Sequence, residues 1–372
     1  MLEIENISHR YGGSWVLQSV SFQLCEGERL AVVGPSGVGK SSLLRLIAGL
    51  EEPVSGQVRI AGQAMDGVPP HERGLSLMTQ QATLFPHWTV RQNLELGLAN
   101  SGVPGSTTPA RMGDLAEKLG IADLLDRKPV GLSVGQQKRV ALGRALIGQS
   151  RLLLLDEPFS SLDSYLRLNL ASELSTLLDQ SGAAAILVTH DVAEALSFGD
   201  RLLVLLDGRI AQTGAAREVY RRPASLAVAR FLGDPPCSLM QVRLEAVGNQ
   251  KRLVIEGEEY IDTAQDRIRP FTGLAPGPWW AGIRPEHLGL FRERPTGVTP
   301  NTLYLPVTVT RAMLRGPATL VEISLGASIM RAWTPPDARW EQGQQAVAAL
   351  DLGRTLWFDQ ATGQLAPGPA GR

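Results

Sequence analysis

Cysteine is scarce in this chain: Cys25 and Cys237 are the two among 372 residues. Two cannot build a disulfide framework, and neither sits in a metal-type Cys/His spacing, so a reducing compartment fits best. Charge of either sign is not in surplus, with 36 basic against 37 acidic residues and a formal net charge of −1. No global field therefore recruits nucleic acid or anionic lipid. The start, "MLEIENISHRY", lacks the basic cluster and apolar stretch of a secretory signal and reads as a first strand. Long apolar runs are missing too: "LLLL" at 152–155, "AAAILV" at 183–188 and "LLVLL" at 202–206 fall well short of the ~18 residues a membrane-spanning helix needs. Buried strands are expected there, and work at a membrane would require docking on another chain. No fixed-period repeat is present, and no guanine-reading N-K-x-D pattern.

The length suits two domains. Up to about residue 234 short apolar strands alternate with amphipathic helical segments, the pattern of an α/β domain with a largely parallel sheet. Strands are expected at 29–34, 151–156, 184–189 and 201–206, and a helix at 40–50. Residues 88–150 read as an inserted helical subdomain containing a Gly/Ser/Thr/Pro-rich loop, "ANSGVPGSTTPARM", at 99–112. The Gly and prolines of "FLGDPPCSLM" (231–240) mark a hinge. From 235 to 372 alternating segments such as "QVRLEAV", "YLPVTVTRAM" and "ATLVEISLG" predict a smaller all-β domain of OB-like barrel type. It holds Trp279, Trp280, Trp333, Trp340 and Trp357, read as packing residues rather than a stacking platform for bases.

The chemistry begins at "GPSGVGKSS", which fits G-x-x-x-x-G-K-[ST] between a strand and a helix. Gly34, Pro35, Ser36, Gly37, Val38 and Gly39 would form a tight loop whose amides, with the helix dipole behind them, cradle phosphates. Lys40 adds a charge near the β and γ phosphates, and Ser41, followed by Ser42, offers a hydroxyl to Mg²⁺. In "RLLLLDEP" an apolar strand delivers two carboxylates to the carboxyl edge of the sheet. Asp156 is placed to hold Mg²⁺, and Glu157 to take a proton from attacking water.

These motifs, with "GLSVGQQKRV" at 131–140, "MTQQATLFPH", "SSLD" at 160–163 and "LVTHD", resemble in order those of the ATP-binding subunits of ABC transporters. The resemblance covers roughly the first 232 residues. It implies that Tyr11 stacks on adenine, that Gln80 senses Mg²⁺ and γ-phosphate beside the membrane subunits, that Asp163 lies in the D-loop and that His190 is the switch histidine. Each has a plainer reading alone: Tyr11 as an edge aromatic, Gln80 as a loop residue, Asp163 as a helix cap, His190 as a structural histidine.

"GLSVGQQKRV" offers no base or nucleophile, so its chemistry lies in backbone groups. Ser133, Val134, Gly135 and Gln136 fit the capping box S-x-x-Q before a helix expected at about 135–149. Ser133 as N-cap leaves the first-turn amides directed at an anion. In the family that anion is the γ-phosphate of an ATP held by a second subunit, which implies a head-to-tail homodimer, or a heterodimer with a sister ATPase. Val134 departs from the family's glycine. At positive φ it would weaken the clamp; as the first helical residue of the box it is tolerated, the favoured expectation.

"GIRPEHLGL" (282–290) resembles the accessory β-domain of importer ATPases for maltose-type sugars, polyamines, ferric iron and oxyanions. A carbohydrate or glycerol-phosphate-like solute is expected from the phrases "GVPPHERGLSLM" and "LLDRKP", with the other solutes as alternatives. The resemblance implies a peripheral protein at the cytoplasmic face of the inner membrane, bound to integral permease subunits and served indirectly by a solute-binding protein. Nucleic acid is not an expected partner. A soluble ATP-dependent regulator with weak hydrolysis is the competing class.

Overall fold

The computed structural model describes residues 1–98, 108–148, 150–160, 162, 164–247, 250–255, 258–262, 274–296 and 301–366. The chain divides into two compact units, Met1–Val219 and Tyr220–Arg372.

In the first unit, strands β1 (Leu2–Tyr11), β2 (Ser14–Leu24), β4 (Ser55–Ile60) and β5 (Gln63–Ala64) form an antiparallel sheet ordered β2-β1-β4-β5. A second sheet has the order β10-β9-β3-β8-β7-β6, from β3 (Arg29–Val33), β6 (Leu75–Met78), β7 (Leu152–Asp156), β8 (Ala184–Thr189), β9 (Arg201–Leu206) and β10 (Arg209–Ala215). All its pairings are parallel except that of the edge strand β10. β7 and β8 are buried at every position, which is why they read as continuous apolar runs rather than alternating ones. Leu30, Val32, Leu154, Ile186, Leu203 and their neighbours share one core with Ile4, Val20 and Leu24 of the antiparallel sheet and with helix α1 (Lys40–Ala48).

The helical part comprises α2 (Val90–Leu98), α3 (Thr108–Lys118) and α4 (Val134–Ile147), followed by α5 (Ser164–Ser181) and α6 (Val192–Phe198). Of the segment expected to be loop, 99–107 lies outside the described residues. The rest is corrected: residues 108–112 open α3. Met112, Leu115, Ala116 and Leu119 recur at helical spacing and are all buried, so burial of that stripe outweighs the loop-like composition before it.

The last helices are α7 (Ala216–Arg221) and α8 (Leu226–Phe231). The division between units falls upstream of the expected 234/235 boundary because Arg284 gathers the preceding segment. Its guanidinium, 3% exposed, donates to the carbonyls of Leu232 (2.6 Å) and Tyr220 (2.6 Å) and stacks on the Tyr220 ring at 3.7 Å. The Tyr220 hydroxyl donates to Glu286 at 2.7 Å. "GIRPEHLGL" is thus the clasp that holds this segment to the β-unit.

After α8 the rest of that unit is built of β-strands in two sheets, as expected. β11 (Ser238–Val247), β12 (Gln250–Ile255), β13 (Glu258–Asp262), β14 (Gly277–Ile283) and β20 (Leu356–Asp359) form one antiparallel sheet, ordered β13-β12-β11-β14-β20. β15 (Leu288–Phe291), β16 (Thr302–Arg315), β17 (Ala318–Leu325), β18 (Ser328–Thr334) and β19 (Gln345–Asp351) form the other, ordered β15-β19-β16-β17-β18. A register shift between Val309 and Arg311 bends the long β16, and inward residues of both sheets close on one core. Trp279 and Trp357 lie in that core and Trp340 packs against it, so the packing expectation holds for these three; Trp280 and Trp333 are half-buried.

Candidate functional site

Strand register assembles the site. Val33 pairs with Thr189, and Asp156 with Val188, so the residues that follow β3, β7 and β8 leave the same carboxyl edge side by side. Those residues are Gly34, Glu157 and His190, remote from one another in sequence and adjacent in space.

After β3 the loop 34–39 turns back over the strand end. Gly34 passes so close to β9 that a Cβ there would lie 2.3 Å from the Leu205 carbonyl oxygen. Gly39 stands at φ 105 as N-cap of α1, with no side chain capping the helix, which leaves the first-turn amides to an external acceptor. Pro35, Ser36 and Gly37 are exposed, while Lys40 and Ser42 are buried below them. The Lys40 ammonium donates to the carbonyls of Gly34 (2.8 Å) and Pro35 (3.0 Å), curling over the loop. Burial pulls its pKa down, and the nearby Glu157 and Asp156 carboxylates oppose that.

Ser41 Oγ donates to Asp156 Oδ1 at 3.0 Å. Burial raises the Asp156 carboxyl above its ordinary range, with the Ser41 hydrogen bond acting against it. A part-buried hydroxyl and a buried carboxylate in contact suit a divalent cation whose other ligands are phosphate oxygens and water, the usual environment of Mg²⁺. Among the described residues no group of three or more His, Cys, Asp or Glu side chains could hold a metal ion.

Glu157 follows at φ 48, an uncommon conformation for a side-chain-bearing residue. Its amide donates to the Val188 carbonyl at 2.9 Å, which ties it to β8. Its carboxylate is held from two sides, by Gln80 Nε2 at 3.0 Å from Oε2 and His190 Nδ1 at 2.9 Å from Oε1. Gln80, expected at the metal, has its side-chain amide on the Glu157 carboxylate. The arrangement is chemically competent to accept a proton from a water beside Lys40 and to keep the accepting oxygen oriented.

Tyr11 ends β1 with its ring 45% exposed and meets His9 edge-on, the centroids 4.8 Å apart. His9 in turn faces Glu51 at 3.4 Å. Val134 is the first residue of α4, and the capping box is complete: Ser133 Oγ accepts from the Gln136 amide at 3.3 Å, and Gln136 Oε1 from the Ser133 amide at 2.9 Å. Val134 is not among the positive-φ residues, and its side chain is 61% exposed. Gly135 lies inside the first turn, with Leu162 beside it. Asp163 lies outside the described residues.

Beside these, Phe85 and Trp88 stack at 4.7 Å on an exposed turn braced by the fully buried Asn93, whose side chain bonds the Phe85 amide and the Phe85 and Thr89 carbonyls. Lys138, to which the motif reading of 131–140 gave no role, is 5% exposed on α4 and reaches the Glu157 segment. The one available signal was a lysine interrupting an otherwise apolar inward stripe.

Comparison with known proteins agrees with this geometry. Residues 17–160 match the family model described as ABC transporter. The sulfoquinovosyl glycerol transport ATP-binding protein SmoE of Agrobacterium fabrum is 36% identical over 97% of this chain and 98% of its own length. The sn-glycerol-3-phosphate import ATP-binding protein UgpC of Vibrio cholerae is 38% identical over 78% of this chain and 76% of its own. Among solved structures, the post-hydrolysis dimer of the ATP-binding cassette MJ0796 bound to ADP and Pi matches 58% of this chain and 99% of its own, with 29% identity and a TM-score of 0.54. With a phosphate loop, an acidic strand end and near full-length likeness to import ATP-binding proteins, the chain belongs to the ATPase subunits of ABC importers that carry a C-terminal β-domain.

Proposed function

We propose that the chain powers uptake of a carbohydrate or glycerol-phosphate-like solute, working as a dimer docked on integral membrane permease subunits at the cytoplasmic face of the inner membrane. The solute class rests on the names of the relatives at 36% and 38% identity. The observation that carries the motor reading is the Glu157 carboxylate, held between Gln80 and His190 beside the Ser41–Asp156 pair.

In this reading Lys40 and the α1 amides bind the β and γ phosphates of ATP, Tyr11 stacks on the base, and Ser41 and Asp156 hold Mg²⁺. The ion, when bound, neutralises charge on the transferred phosphoryl group. Glu157 takes the proton of the attacking water, while His190 and Gln80 keep its carboxylate aimed. The amide end of α4, at Ser133, Gly135 and Gln136, faces the γ-phosphate held by the second subunit. The exposed Phe85–Trp88 pair supports a permease contact next to Gln80. No helix among the described residues is long and apolar enough to cross a membrane, so such a contact would carry the coupling.

Steady-state Mg·ATP hydrolysis tests the chemistry. Glu157→Gln is expected to reduce kcat at least about 100-fold, roughly 2.7 kcal/mol of barrier, with nucleotide binding retained. Unaltered turnover in that variant would sink the assignment. Co-extraction with integral membrane subunits tests the partner; a wholly cytosolic partner would favour the regulatory class instead.

A further inference from the structure

Burying an ammonium is expensive unless it is fully engaged, and helix α4 buries one where its other inward residues, Val140, Ala141 and Leu142, are apolar. Lys138 Nζ donates to the Glu157 carbonyl oxygen at 3.3 Å and to Ser160 Oγ. Ser160 Oγ in turn donates to the same carbonyl at 2.9 Å, and the Ser160 amide does so at 3.3 Å. One carbonyl therefore gathers a lysine, a hydroxyl and an amide. It belongs to Glu157, whose φ of 48 persists only where the surroundings over-determine it.

We propose that Lys138 is a positioning residue for hydrolysis: from one turn inside α4 it clamps the backbone of Glu157 and the start of the 160–163 segment. This rests on the reading of Glu157 as the proton acceptor. Lys138 stands five residues after the N-cap Ser133, at the helix end that the proposed function sets against the second subunit's phosphate. A short rigid lever then joins the place where the partner's nucleotide is sensed to the carbonyl that fixes the hydrolytic carboxylate in the same chain. Displacement of α4 is transmitted to Glu157 without passing through the sheet. Misplacement of a reacting group by about 1 Å suffices to cost ~100-fold in rate.

The test is full-length Lys138→Met, similar in volume and without a donor, compared with Ser160→Ala, the double variant and Glu157→Gln. The expected result is a kcat lower by about tenfold or more, with KM and the affinity for a fluorescent ATP analogue within about twofold of the parent and no loss of thermal midpoint. Ser160→Ala is expected to lower kcat at least about threefold, and the double variant to be no worse than Lys138→Met, because both act through one carbonyl. Parental kcat in Lys138→Met overturns the proposal. So does a joint fall of kcat, affinity and thermal midpoint, which a merely structural role produces. Should Lys138→Met not fold, Ser160→Ala decides alone: kcat lowered at constant KM upholds the clamp and an unchanged kcat overturns it. Full turnover in Glu157→Gln would instead remove the underlying reading.

Discussion

Arg284 and Tyr220 show how single residues fix a boundary that composition placed elsewhere. The guanidinium satisfies two carbonyls and stacks on the phenol, while the phenol hydroxyl is committed to Glu286. Burial, followed by the hydrogen bond to the Glu286 carboxylate, pushes the Tyr220 pKa up to about 12. The folded phenol keeps its proton where the unfolded one, near 10, has released it. Its contribution to stability is therefore complete below about pH 10 and is lost as pH rises towards 12. Tyrosinate absorbance is expected to show one late-titrating ring that Tyr220→Phe removes. Urea midpoints measured between about pH 9 and 11 should fall less in that variant than in the parent. An equal fall in both would mean that the clasp does not hold the phenol. In the sequence, the two prolines after Asp234 drew attention as a hinge because turn chemistry is local; the clasp was illegible because Tyr220 and Arg284 meet only after β14 has folded back.

At the scale of elements, α4 shows local chemistry overriding a departure from a family pattern. Ser133 and Gln136 close the capping box reciprocally, so Val134 enters at helical φ and avoids the strain it would meet where φ is positive. Two substitutions separate cap from clamp. Ser133→Ala removes the acceptor for the Gln136 amide and is expected to cost about 1 kcal/mol of stability, visible as a lower thermal midpoint. Val134→Gly leaves the cap intact, is expected to cost under ~1 kcal/mol, and should leave turnover within a few-fold. Turnover raised more than about 100-fold by the glycine would mean that the valine side chain obstructs the clamp. The box was legible because its partners lie three residues apart; the exact start of α3 was not, since the stripe from Met112 to Leu119 competes with a loop-like composition before it.

On the scale of the whole molecule, two units with separate cores imply two responses to ligand. The nucleotide residues named above all lie within Met1–Val219. Saturating Mg·ATP, applied to the Glu157→Gln protein to prevent turnover, is expected to raise the first unit's calorimetric transition. At 100 times Kd the gain is about 2.7 kcal/mol, with the transition of Tyr220–Arg372 unmoved. A single transition that shifts as one would show that the cores unfold cooperatively and would deny the second unit independent stability.

What the sequence by itself determined was whatever depends on neighbours along the chain: apolar strands, the glycine loop before α1, the cap of α4, and the carboxylates that end β7. Each is governed by backbone conformation and burial within a few residues, and each could be read in one pass. Tertiary structure alone decided which of these stand together. The pairings Val33–Thr189 and Asp156–Val188 bring the phosphate loop, Glu157 and His190 to one edge. Packing of α4 brings Lys138, given no role by its motif, onto the carbonyl of Glu157. Strand register and the burial of a charge depend on groups remote in sequence, so no local pattern encodes them.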